Sequence, residues 1–531
     1  MKLGVVGLAL LLFTTAWAGP PRIPEPTLGG TPQAKPDDAK AHFDRGVALD
    51  GKGDLDGAIA EFREAIRLEP DLAEAHYNLG IALGRGKGDL DGAITELRQA
   101  IRLKPDYAEA HTGLGIALGE KGDLDGAIAE SREAIRLMPD DAEAHNNLGT
   151  ALGGKGDLDG AIAELRKAIH LKPDFAEVHY NLGKALRGKG DLDGAIAEWR
   201  EAVRVKSDDA GMHYSLGLAL DEKDDYDGAI AEFHKAIHLK PDIAEVHYNL
   251  GKALGEKGDL DGAIAEWREA VRLKPDFAEV HNNLGVALAH KGDLDGAIAE
   301  YREAIRLKPD FAEAHNNLSE ALRLKGALDG AIAESRQAIR LKPDYAEAHH
   351  SLGVALAHKG DLDGAIAEYR EAIRLKPDFA EAHDYLGNAL EDKGDLDGAI
   401  TEHRTAVRLK PDYAEAHGNL GNALQRKGDL DGAVTEFREM LRLKPDYAEA
   451  HNNLGKALYE KGDHDGAIAE LREAIRLKPD YAPAHYNLGV ALYGKGNLDG
   501  AIAEFREASE LDPGNKQFRA SYERLSKESK K

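Results

Sequence analysis

Prolines recur along this chain at intervals of 34 residues, and this period constrains the fold more than any other feature. One interval of 35 and one of 68 interrupt the series, and the longer one passes over Ser207, which stands where a proline is expected. A fixed period of about 20–50 residues is typical of repeat proteins, in which one small unit is copied and stacked. The sequence therefore predicts fourteen stacked units between residues 36 and 513. The series comprises Pro36, Pro70, Pro105, Pro139, Pro173, Pro241, Pro275, Pro309, Pro343, Pro377, Pro411, Pro445, Pro479 and Pro513.

Each unit reads as two helices joined by a turn, as the unit that begins at Pro275 illustrates. Apolar residues recur at helical spacing over 278–289 and again over 297–307. Between these stretches, Gly292 suits the left-handed conformation that ends a helix, and Asp293 suits the N-cap of the next one. The unit is therefore predicted to be helix-turn-helix.

Six residues of this unit form a recognisable pattern of apolar, small and proline positions: Leu284, Gly285, Ala297, Tyr301, Ala304 and Pro309. In this pattern the unit resembles the tetratricopeptide repeat. The repeats are similar to those of O-linked GlcNAc transferases, but the catalytic domain of that family is absent from the sequence. The unit departs from the family pattern at His281, where tryptophan is preferred, and at Leu288, where tyrosine is preferred. The resemblance implies an all-α, right-handed solenoid of about fourteen repeats over residues 37–513, closed by a capping helix and a basic tail at 514–531.

The amino terminus reads as an export signal. Lys2 precedes an apolar run, Leu3–Phe13, that is short for a membrane span, and Ala16-Trp17-Ala18 suits a signal peptidase. We expect residues 1–18 to be a signal peptide cleaved near Ala18–Gly19, which would make the protein periplasmic or secreted; an uncleaved anchor is the alternative. Residues 19–36 hold six prolines and are predicted to be a linker. No later stretch approaches about 18 apolar residues, so we expect no membrane span in the mature chain.

Fourteen histidines share one position of the repeat, which is the packing-tryptophan position of the family. A metal ladder is excluded because stacked helices lie about 8–10 Å apart, whereas Zn–N bonds are about 2.0–2.1 Å long. We expect buried, neutral packing residues with a depressed pKa, so that stability falls as the pH drops through about 6.5. They are His42, His76, His111, His145, His179, His213, His247, His281, His315, His349, His383, His417, His451 and His485.

A row of asparagines marks the candidate binding surface. In the tetratricopeptide family one face of the first helix lines a concave groove, and an asparagine ladder there implies contact with the backbone of an extended peptide. Asparagine is a poor residue in the middle of a helix, so a functional role is one explanation; shared descent of recently copied repeats is the other. The predicted peptide-binding residues are Asn78, Asn147, Asn181, Asn249, Asn283, Asn317, Asn419, Asn453, Asn487, Tyr77, Tyr180 and Tyr248.

The unit that begins at Ser207 departs most from the pattern, with Gly211, Met212 and Asp224 at otherwise regular positions. We interpret it as a softer joint, with neutral drift as the alternative.

Glutamates recur one turn before the asparagines in eleven units, for example Glu279, so a neutral or basic peptide is the expected partner.

Composition and missing motifs exclude several classes of function. The net charge of −26 argues against nucleic-acid binding, and the absence of cysteine excludes thiolate chemistry. Phosphate loops, nucleophile elbows and metalloprotease motifs are missing from the sequence. We therefore predict a non-enzymatic scaffold without cofactor or metal that binds proteins or peptides in its groove. The alternative is a structural or assembly component of a cell envelope or secretion complex that acts through its outer surface.

Overall fold

A computed structural model describes residues 38–528, which form 29 α-helices and no strand. The predicted signal peptide (1–18), the linker (19–36) and the last three residues of the basic tail lie outside the described residues. The described chain is an all-α solenoid of helix-turn-helix repeats, as predicted. It divides into two compact units between Pro275 and Asp276.

The first unit holds seven helix pairs. They are α1 (Ala39–Gly51), α2 (Leu55–Leu68), α3 (Ala73–Lys87), α4 (Leu90–Leu103), α5 (Ala108–Glu120), α6 (Leu124–Leu137), α7 (Ala142–Gly154), α8 (Leu158–Leu171), α9 (Ala176–Gly188), α10 (Leu192–Val205), α11 (Ala210–Glu222), α12 (Tyr226–Leu239), α13 (Ala244–Glu256) and α14 (Leu260–Leu273).

The second unit holds seven further pairs and a final single helix. They are α15 (Ala278–His290), α16 (Leu294–Leu307), α17 (Ala312–Leu324), α18 (Leu328–Leu341), α19 (Ala346–His358), α20 (Leu362–Leu375), α21 (Ala380–Asp392), α22 (Leu396–Leu409), α23 (Ala414–Lys427), α24 (Leu430–Leu443), α25 (Ala448–Lys461), α26 (His464–Leu477), α27 (Ala482–Gly494), α28 (Leu498–Leu511) and α29 (Lys516–Glu528).

The turn between the two helices of a repeat is built as the sequence indicates. Gly292 has a φ of 83°, in the left-handed region where a side chain is unfavourable. Asp293 caps α16 by accepting a hydrogen bond from the backbone N–H of Gly296 at 2.9 Å. In the irregular repeat Asp224 replaces the turn glycine and still adopts a φ of 60°. The turn geometry is therefore retained where the glycine is lost.

Close contact between the two helices of a repeat depends on its small residues. A Cβ on Gly285 would lie 2.6 Å from the ring of Tyr301, a distance at which one of the two must move. Ala297 and Ala304, on the same second helix, are completely buried. The small positions of the repeat thus form the interface around which larger side chains pack.

Contacts between successive elements hold the repeats together. Some of them are polar contacts between neighbouring repeats, and others are the packing of α29 on the last repeat. Lys155, which follows the first helix of its repeat, donates to Asp125 of the preceding second helix at 2.5 Å. At the carboxyl end, Phe518 and Leu525 of α29 are buried, and Phe518 stacks on Tyr486 at 4.8 Å. Every helix within residues 38–528 is too short or too polar to cross a bilayer.

Candidate peptide-binding face

The predicted asparagines lie on one side of the first helices, here called the first-helix face, and several of them bridge successive repeats. The side-chain amide of Asn181 donates to the Oδ1 atom of Asn146 in the preceding first helix, at 3.0 Å. Asn317 donates to Asn282 at 3.0 Å in the same way. Asn487 and Asn452 form the equivalent pair at 2.9 Å.

The same bridge occurs with other partners. Asn249 donates to the hydroxyl of Tyr214 at 2.9 Å and Asn419 to the carboxylate of Asp384 at 3.1 Å. Tyr180 and Ser215 form it with their hydroxyl groups, 3.2 Å apart. The sequence predicted the row of asparagines but not these bridges. Each bridge made by an asparagine could be recognised in the sequence by a second polar residue 35 positions before the asparagine.

The remaining predicted residues are placed differently. Asn78 donates to the carbonyl of Glu74 within its own helix at 2.7 Å, and Asn453 donates to Asn422 at 3.3 Å. The amide nitrogen of Asn147 is buried without a hydrogen-bond partner among residues 38–528. Asn283 accepts from Asn282 at 3.4 Å.

The three predicted tyrosines also differ in exposure. Tyr77 is only 7% exposed and packs on Tyr107, with ring centroids 5.0 Å apart. Tyr180 and Tyr248 are half-buried. Tyr77 therefore contributes mainly to packing, whereas the other two retain accessible surface.

The bridged amides keep one polar atom available. Asn249, Asn317 and Asn487 are half-buried, and their Oδ1 atoms accept no hydrogen bond from the described part of the chain. None of these three oxygens belongs to the buried polar atoms that lack a partner, so all three retain access to solvent. An amide held by its nitrogen with its oxygen accessible is a pre-oriented acceptor for a backbone N–H group.

The recurring glutamates near this face are mostly paired. Glu279 accepts from Lys308 of its own repeat at 3.1 Å, and the lysine also lies over the ring of Phe311, 4.8 Å from its centroid. Glu347 and Lys376 repeat the ion pair at 3.0 Å. These pairs reduce the negative charge that the sequence suggested for this face.

The recurring histidines occupy the packing position that we predicted but form an ion-pair series. His349 Nδ1 lies 2.6 Å from Glu368 Oε2, and its Nε2 lies 3.3 Å from the carbonyl oxygen of Pro343. Both neighbours are acceptors, so the imidazolium form, in which both ring nitrogens donate, satisfies both contacts, and the glutamate raises the pKa of His349. All fourteen histidines contact a second-helix glutamate in this way.

For seven of these histidines the pKa is raised, so the prediction of neutral rings with a depressed pKa is wrong there. At five of the shifted histidines the bond to glutamate is the largest influence and raises the pKa. At the other two, burial is the largest single influence and lowers the pKa, but the glutamate, the backbone carbonyl and the nearby negative charge together outweigh it. The histidines with a raised pKa are His76, His111, His179, His247, His349, His417 and His485.

One buried polar cluster was not anticipated. His403 occupies a position where most repeats have an aromatic or leucine, and its Nδ1 lies 2.8 Å from Asp384, which also accepts from Asn419. Both members of the pair are almost completely buried. Residues 38–528 contain no group of three or more histidines and acids arranged to hold a metal ion.

The chain belongs to the tetratricopeptide repeat family. Matches to the TPR repeat cover residues 51–86, 85–122, 117–156, 154–190, 319–360, 355–394, 387–428, 426–462 and 455–496. Matches described as tetratricopeptide repeat cover residues 180–242, 248–310 and 482–515. No curated protein matches the chain.

Three solved structures illustrate the likeness. The APC/C hetero-tetramer Cut9–Hcn1 is 15% identical over 85% of this chain and 96% of that one, with a TM-score of 0.42. YrrB, described as a TPR protein with an unusual peptide-binding site, is 24% identical over 37% of this chain and 97% of its own, with a TM-score of 0.31. MamA is 30% identical over 31% and 97%, with a TM-score of 0.29.

Proposed function

We propose that this protein is a non-enzymatic scaffold that binds an extended peptide segment of a partner protein along the first-helix face. The observation that carries the proposal is the amide groups of Asn317 and Asn487 in the second unit, each fixed through its nitrogen and accessible at its oxygen. Acceptors held in this way bind backbone N–H groups with little loss of side-chain entropy. Because every peptide has a backbone, the face would accept varied sequences.

The partner and its location follow as parts of the same proposal. The net charge of −26 favours neutral or basic peptides over nucleic acid. The apolar run near the amino terminus supports export from the cytoplasm. The second candidate is a structural or assembly component of a cell-envelope or secretion complex that contacts its partners through the outer surface of the solenoid. It is favoured by the use of several asparagine nitrogens within the fold.

A matched set of variants tests the first proposal. Asn317→Ala and Asn487→Ala together remove both the bridge and the oxygen offered to a ligand, whereas Asn282→Ala and Asn452→Ala remove only the bridge. Peptides selected from a random library on the wild-type chain serve as probes, with binding followed by fluorescence anisotropy. We expect the first pair to weaken binding by about tenfold, which is about 1.4 kcal/mol, and the second pair, which frees the amides but keeps their oxygens, to weaken it clearly less. Equal effects of the two pairs would contradict a direct role of the amide oxygens.

A further inference from the structure

A cationic groove opens on the other side of the repeats, formed by second helices. Between α10 and α12, above the start of α11, the structure has a cavity of about 580 Å³. Arg200 and Arg204 line it from α10, and His234 and His238 line it from α12. A cavity of this size falls within the range of about 300–1,000 Å³ that is usual for ligand sites.

The groove arises from local departures from the repeat pattern. At the position of Lys235 most repeats have a glutamate that pairs with an arginine three residues later, as Glu269 does with Arg272 at 2.6 Å. Lys235 and His238 replace that acid and that arginine, as Lys167 and His170 do in α8, whereas His234 in place of arginine and Ser207 in place of proline occur in this repeat alone. Compared with most repeats, the wall of the groove therefore lacks an acidic side chain, and its floor lacks a proline ring.

The charges around the groove are not balanced locally. Glu201 pairs with Arg204, and Glu232 pairs with both Lys235 at 2.7 Å and His213 at 2.5 Å. Arg200, His234 and His238 are exposed, and none forms an ion pair or side-chain hydrogen bond within the described chain. Cationic and imidazole groups thus outnumber acids here, although the whole chain carries a net charge of −26.

We propose that this groove binds an acidic segment of a partner protein. Arginine guanidinium groups bind carboxylates in a bidentate manner, and the neighbouring lysine and imidazoles add further donors. Val203 and Leu239 give the cavity an apolar part, and Leu239 is 39% exposed. Inorganic anions make no use of an apolar surface, whereas a peptide with leucine among its acidic residues fills both parts. The groove is separate from the asparagine row, so it does not depend on the function proposed above.

The test uses the full chain and a fluorescein-labelled, twelve-residue peptide of alternating acidic residues and leucine. Binding is measured by fluorescence anisotropy in EDTA, because His234 and His238 lie one turn apart and would attract a stray metal ion. We expect Arg200→Ala combined with His238→Ala to weaken binding by about tenfold or more, and added salt to weaken wild-type binding. The matched control is Arg98→Ala with Arg136→Ala, at the corresponding positions of α4 and α6, where Pro105 is present.

Several results would overturn the proposal. They are no binding to the wild-type chain, equal loss in the control variant, or equal binding of a peptide with lysine in place of the acids. Displacement by an equimolar amount of inorganic phosphate would assign the groove to small anions instead, and preferred binding of a single-stranded oligonucleotide would assign it to nucleic acid. Circular dichroism melts of both variants establish that any loss of binding does not come from unfolding.

Discussion

Nδ1 of His349 lies 2.6 Å from Oε2 of Glu368, nineteen residues later on the second helix of the same repeat. The other ring nitrogen faces the carbonyl of Pro343, so one side chain joins the first helix, the second helix and the preceding turn. The contact recurs along the solenoid, so its protonation is coupled to the stability of many repeats at once.

The melting temperature is expected to fall as the pH rises from 6 to 8.5. Seven histidines have a folded pKa above the ordinary value. A raised folded pKa gives stabilisation that is fully present below the unfolded pKa of about 6.5 and is lost as the pH rises through the folded pKa. Circular dichroism melts at constant ionic strength measure the trend, and Glu368→Gln should make it shallower. A melting temperature that is constant or rising over this range would contradict the ion-pair series.

The sequence was sufficient for the fold because the period, the turn glycines and the capping aspartates all specify the same helix pair. It also placed His349 correctly as a packing residue. The prediction was wrong about the pKa of His349. Glu368, which raises that pKa, lies on another helix and contacts the ring only when the two helices of the repeat pack together. The bridges of the asparagine row were missed for the same reason: Asn317 and Asn282 are 35 residues apart and meet only through stacking of repeats.

Introducing a cap at α18 should stabilise that helix. Ala327 occupies its N-cap without a side-chain hydrogen bond, whereas Asp361 caps the next second helix by accepting from Gly364 at 2.9 Å. Ala327→Asp is expected to add about 0.5–2 kcal/mol of local stability, and Asp361→Ala should remove a similar amount from α20. Hydrogen exchange of the amides in each helix measures both effects. Unchanged exchange in α18 with a clear loss in α20 would show that the turn before α18 cannot hold a cap.

Two glycines of first helices should respond oppositely to alanine. A Cβ on Gly183 would lie 2.6 Å from Nε1 of Trp199, which is itself fixed by a hydrogen bond to the carbonyl of Tyr180. Gly183→Ala is therefore expected to cost about 1–3 kcal/mol through overpacking. At Gly119 the nearest atom is 3.7 Å away, so Gly119→Ala should gain up to about 1 kcal/mol from helix propensity. Thermal melts of the two variants give the comparison, and a stabilised Gly183→Ala variant would contradict the close contact.

A serine at position 115 should satisfy a buried hydroxyl that is now without a partner. Ser131 is completely buried and its Oγ makes no hydrogen bond to the rest of residues 38–528. Another repeat has a serine at both equivalent positions. There Ser319 donates to the carbonyl of Ala331 at 2.8 Å, and its Oγ lies 2.6 Å from that of Ser335.

Gly115→Ser reproduces this pair, because a Cβ there would lie 3.0 Å from Ser131 Oγ and 3.5 Å from the carbonyl oxygen of Ala127. The first distance requires a small shift, which the serine pair of the other repeat accommodates. We expect a gain of about 0.5–1.5 kcal/mol from the new hydrogen bond, in addition to the gain from replacing glycine within a helix. Gly115→Ala is the control, since it provides the helix propensity without the hydroxyl. If hydrogen exchange in α5 and α6 shows the serine variant to be no more stable than the alanine variant, the buried hydroxyl of Ser131 carries no measurable penalty.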